Sequence, residues 1–188
     1  NSIDAGCWQE GAGGNDQSAS AYRKAGMVMM FPSLRGGNNN PGSKEGFLGE
    51  VEDVLAATEF LRKQPFVDPA RIYLGGHSTG GTLALLTAEY FDRFRAVFSF
   101  GPVEDVLTYG PRYNPFPLSD RKEIHLRCPR RWLHSIRVPV FVFEGSKDGN
   151  LDALRAMSRS SKNPKVRFIE VKGADHFNLL ASTNRLIA

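Results

Sequence analysis

Five short apolar runs punctuate the chain: Met27–Phe31, Ile72–Leu74, Ala96–Phe100, Val138–Phe143 and Val166–Val171. They are too short for helices and mostly continuous rather than alternating, as expected of parallel strands covered on both faces. Pro32 closes the first run, and Pro139 is acceptable near the start of the fourth. Between the runs, apolar positions recur at helical spacing. Leu48, Val51, Val54, Leu55 and Leu61 predict a helix over residues 50–63, with Glu50, Glu52 and Asp53 in its first turn, where carboxylates suit the helix dipole. Leu151, Leu154 and Met157 share a face of a second helix, stopped by Asn163-Pro164. The run Thr82–Ala88 predicts a third, and residues 16–25, ended by Gly26, a short fourth. Strands alternating with helices predict an α/β fold, a parallel sheet with helices on both faces and right-handed crossovers. The 188 residues suit one domain.

Three stretches depart from this rhythm. The first fourteen residues, rich in glycine and small polar side chains, predict a loop anchored by Trp8. The turn formers of residues 35–42 predict a loop at the carboxyl end of the first strand, on the ligand side of an open α/β sheet. Arg35 is there a candidate to hold a substrate carboxylate or carbonyl, with bracing of its own loop as the competing role. Residues 103–137 carry prolines at 111, 115, 117 and 129, several aromatics, and the cations Arg121, Lys122, Arg127, Arg130, Arg131 and Arg137. They predict a cap-like insertion whose Tyr109, Tyr113, Phe116 and Trp132 are candidates to shape a pocket; Tyr109 and Trp132 are the candidate substrate contacts. The competing reading packs the aromatics onto the body and leaves the charges as a solvated face.

With 41% hydrophobic and 23% charged residues the composition is that of a globular protein, and no apolar run approaches the ~20 residues of a spanning helix. The net charge of +4 is spread along the chain without a nucleic-acid-binding module, so neither a nucleic acid nor a membrane partner is expected. Cys7 and Cys128 form no C-x-x-C pair and are expected as unpaired thiols; no metal or other cofactor is expected.

The chemistry gathers around Gly76-His77-Ser78-Thr79-Gly80. This G-x-S-x-G string lies between a predicted strand and a predicted helix, the setting of a nucleophile elbow, in which a serine on a strained turn exposes its hydroxyl above the sheet. Glycines flank it because strand and helix approach too closely for side chains. A serine hydroxyl needs a base to take its proton and a carboxylate to orient that base. His77 is expected to point elsewhere, and His125 and His134 fall in the insertion. His176, just after the last strand, is the candidate base. Asp148, after the preceding strand, is the candidate acid, with Asp152 and Asp175 as weaker rivals. The order serine, acid, histidine follows, and the Thr79 amide supplies one oxyanion donor.

Those motifs, with Leu34-Arg35-Gly36, the 64–72 stretch, Ile136–Val140 and Gly173–Phe177, resemble those of α/β-hydrolases, and within them the prolyl oligopeptidase-like serine hydrolases related to dienelactone hydrolase. The resemblance implies an ester or peptide/amide bond cleaved through an acyl-enzyme by Ser78, His176 and Asp148, with a peptidase favoured over a carboxylesterase or dienelactone hydrolase-like enzyme. A non-catalytic binding protein on the same fold is the rival from another class. The resemblance also implies strands and a second oxyanion donor ahead of residue 27. No motif here matches them, so an N-terminally truncated domain, or one completed by another segment, is expected, with the donor coming from residues 1–14 or from residues outside this sequence.

Overall fold

The computed structural model describes residues 15–111 and 113–188. Its centre is a four-stranded parallel sheet, β1 (Tyr73–His77), β2 (Ala96–Phe100), β3 (Val140–Gly145) and β4 (Val166–Val171), ordered β1-β2-β3-β4. The register sets Tyr73 beside Ala96, Val97 beside Val140 and Val140 beside Val166. All four strands therefore begin at one edge of the sheet and end at the other, and the loops leaving their carboxyl ends share one rim.

Alternate residues of the strands build two cores. Val97, Val140 and Val142 face Leu85 and Ala88 of α3 (Thr79–Tyr90) and Leu154 and Met157 of α6 (Leu151–Ser160). On the other side Phe98 stacks on Phe141 and Phe100 on Phe143, with ring centroids 5.6 and 5.1 Å apart. Leu179 and Leu180 of α7 (Leu179–Ile187) cover this side. Every residue of α3 from Thr79 to Ala88 is buried, as fits a helix that packs on β1, β2, α2 (Leu48–Arg62) and α5 (Pro129–Trp132) at once. The short α1 (Ser20–Lys24) packs on α7, and Gly26, at φ 82°, ends it.

One expected strand does not form. Residues 27–31 carry no strand, and Met27, Val28 and Met30 are exposed. A strand needs a ladder partner, and among the described residues β1 pairs with β2 alone, leaving its other edge open. Residues 103–137 hold short helical pieces joined by turns: a 3₁₀ turn (Val106–Tyr109), α4 (Arg121–Leu126), α5 and a second 3₁₀ turn (Leu133–Ser135). Arg127 pins them to the body. Its buried guanidinium donates to the carbonyls of Gly46 (2.7 Å) and Glu45 (3.1 Å), pairs with Glu123 and lies 4.4 Å from the Phe116 ring centroid.

Candidate active site

The elbow has the strain that its motif predicts. Ser78, between β1 and α3, holds φ 55° and ψ −117°, a conformation costing a non-glycine residue about 1–3 kcal/mol. Its amide donates to the Phe100 carbonyl at 2.8 Å, tying the turn to the end of β2. A Cβ on Gly76 would stand 2.0 Å from the Gly80 carbonyl oxygen, and one on Gly81 2.4 Å from that of Phe100, so both positions require glycine. Thr79, the predicted oxyanion donor, is the first residue of α3, at the positive end of the helix.

His176 lies on the loop between β4 and α7, and its main chain is held on both sides. The Asp148 carboxylate accepts from its amide N–H at 3.0 Å. His77 Nε2 lies 2.7 Å from its carbonyl oxygen and must donate, which fixes the His77 tautomer. The two imidazoles face each other with centroids 4.7 Å apart. Burial, more than its neighbours, pushes the His77 pKa down to about 4. His77 thus points toward the backbone of the candidate base.

The carboxylate beside the His176 ring is not the one expected there. The Glu144 carboxylate, fully buried in β3, places Oε2 2.9 Å from His176 Nδ1. Asp148 is exposed in the turn beyond the strand and reaches only the main chain of His176. The distinction is one of reach. Glu144 projects from within the strand beneath the ring, whereas Asp148 has left the sheet. Asp175 turns back to accept from the amides of Phe177 and Asn178, and Asp152 is exposed on the first turn of α6, so neither rival reaches the ring. Glu144 was readable in principle: it is a charged residue inside an apolar parallel strand, just before a glycine, where charge is rarely buried without a partner.

Among the described residues, neither Ser78 Oγ nor His176 Nε2 makes a hydrogen bond. The neighbours of Ser78 and His176 meet, His77 against the His176 carbonyl and Gly101 close to its ring, at the carboxyl rim of the sheet. Such contacts are commonly long before substrate binds.

The three candidate substrate contacts are engaged within the protein. Arg35 meets Asp53 at 2.8 Å, Glu45 at 2.5 Å and Glu52 at 3.4 Å, bracing its loop against α2. The Tyr109 hydroxyl pairs with Thr82 Oγ1 at 2.8 Å, and its ring lies 5.5 Å from that of Phe47. The Trp132 indole donates to the His125 carbonyl at 2.9 Å and lies between His125 and His134. Cys128 is free and buried; Cys7 and the 1–14 source of a second oxyanion donor lie outside the described residues. Among the described residues, no three His, Cys, Asp or Glu side chains group as metal ligands, and no helix is long and apolar enough to cross a membrane.

A parallel sheet with helices on both faces and a serine elbow defines an α/β-hydrolase fold, and solved structures agree. A puromycin-hydrolyzing peptidase of Mycobacterium tuberculosis superposes with a TM-score of 0.64 at 22% identity, over 77% of this chain and 24% of its own. Acylaminoacyl peptidase of Pyrococcus horikoshii gives 0.61 at 19% identity, over 81% and 29%. The prolyl oligopeptidase family model matches residues 15–184, and the chain belongs to that family of serine peptidase-type hydrolases. A relative in Bacillus subtilis, the uncharacterized peptidase YtmA, is 32% identical over 143 residues, covering 69% of this chain and 55% of its own. The chain thus spans about half the length of the curated relatives it matches.

Proposed function

We propose that this chain forms the catalytic part of a serine hydrolase that cleaves a peptide or amide bond through an acyl-enzyme. The observation that carries the reading is Ser78 itself, a non-glycine residue held at φ 55° between β1 and the head of a buried helix, the strained turn that exposes a nucleophile. In this mechanism Ser78 Oγ attacks the substrate carbonyl while His176 Nε2 takes its proton, a carboxylate beside Nδ1 stabilises the imidazolium, and the Thr79 amide donates to the oxyanion. The proton then passes from His176 to the leaving amine. Water, deprotonated by the same imidazole, releases the acyl group and restores Ser78.

Family membership favours a peptide or amide over an ester. Paired substrates sharing one acyl group, an amide and the matching ester, test the reading. Turnover of the amide, lost in Ser78→Ala, is expected. Turnover of the ester alone would move the assignment to a carboxylesterase or dienelactone hydrolase-like enzyme, and rates equal to those of Ser78→Ala would leave a binding protein.

A further inference from the structure

Resting on that reading, we infer that Glu144 is the carboxylate that positions and supports His176, and that the acid work expected of Asp148 is divided, with Asp148 acting on the main chain alone. Glu144 is placed as such a group must be. One oxygen accepts from the Gly145 amide at 2.7 Å, and the other accepts from the Asn150 amide at 2.9 Å and stands 2.9 Å from Nδ1. Two fixed amides offset the loss of water around a fully buried carboxylate and fix its direction. Its Oε2 accepts the Nδ1 proton, so His176 Nε2 is left bare to receive the proton of Ser78.

The surrounding backbone is shaped to this pair. A Cβ on Gly101 would lie 2.4 Å from His176 Cε1 and 3.2 Å from Glu144 Oε2; one on Gly149 would lie 2.9 Å from Nδ1 and 3.1 Å from the same oxygen. Gly101 and Gly149 hold φ 61° and 83°, and the Asn150 side-chain amide donates to the Gly101 carbonyl at 2.8 Å, joining the two walls. The ends of β2 and β3 thus form a glycine-walled slot filled by the Glu144–His176 pair. Asp148, exposed to water, and His77 grip the peptide groups of His176 on either side and hold its loop over the slot.

The pH dependence of kcat and KM for Glu144→Gln and Asp148→Asn, with the substrate that the wild type turns over, separates the two carboxylates. Glu144→Gln presents an amide that stabilises the wrong tautomer. It is expected to lower kcat by about 10³–10⁴ with KM little changed, and to replace the neutral-pH plateau with a rate that climbs with pH. Asp148→Asn is expected to lose less than about tenfold and to keep the plateau, because a side-chain carbonyl still accepts from the His176 amide. Asp148→Asn decides the matter even if Glu144→Gln does not fold: a loss of about 10³ with the plateau gone would overturn the inference. Equal, small losses in both variants would also overturn it. A wild type no faster than Ser78→Ala would overturn the serine-hydrolase reading and this inference together, whereas the reversed order of variants would overturn the inference alone.

Discussion

At the scale of single residues, the site depends on side chains that hold other groups in place. His77 is the clearest case. Its buried ring donates to the His176 carbonyl, and burial holds its pKa at about 4, below the ordinary value of 6.5. The unfolded chain therefore takes up this proton at a higher pH than the folded one. The stability it contributes is complete above pH ~6.5 and is lost as pH falls toward about 4, on the order of 3 kcal/mol in all. Thermal melts between pH 7.5 and 4.5 should show a steeper acid-side loss for the wild type than for His77→Gln; parallel curves would contradict this. His77→Gln should also lower kcat more than it raises KM, since the base loses a loop anchor and the substrate loses no contact. Little of this was legible in the sequence. A histidine beside the nucleophile reads as a spacer, and Asp148 reads as the acid because it follows a strand in the required order. Which atom of His176 each group touches depends on distances that spacing does not encode.

Among the elements, close approach and buried polar braces decide what can change. Gly76→Ala sets a methyl 2.0 Å from the Gly80 carbonyl, and neither β1 nor α3 can shift without breaking the sheet or the buried helix. Loss of several kcal/mol, enough to prevent folding, is expected, read as absent soluble protein or a collapsed melting transition. Arg127→Met should cost about 2–4 kcal/mol, because the carbonyls of Gly46 and Glu45 lose their donor in a buried place. Arg35→Met should lower stability by about 1–2 kcal/mol and leave KM unchanged, as suits a residue engaged with Asp53, Glu45 and Glu52; a large rise in KM would restore its substrate role. At this scale the sequence read well where packing is simple. Ala96–Phe100 and Val166–Val171 are strands over the residues their apolar runs mark, and the 48–62 and 151–160 helices follow their spacing. Met27–Phe31 failed because an apolar run specifies only that a strand would be buried, whereas a ladder also needs a neighbour.

Over the whole molecule, the parallel sheet sorts function to one end. The strands deliver the elbow, Glu144, the Asp148 turn and the His176 loop to the carboxyl rim, although they are spread across about a hundred residues of chain. The same topology collects exposed cations that look scattered in sequence. Arg71, Arg95, Arg137 and Lys165 each stand just before a strand, side by side at the opposite rim. Whether Ser78 is an activated nucleophile is read out by covalent labelling with a fluorophosphonate probe, mapped by peptide mass spectrometry. Modification at Ser78 is expected, abolished in Ser78→Ala and slowed strongly in His176→Ala. Unmodified Ser78 after prolonged exposure of the folded protein, or modification that persists in Ser78→Ala, would contradict it.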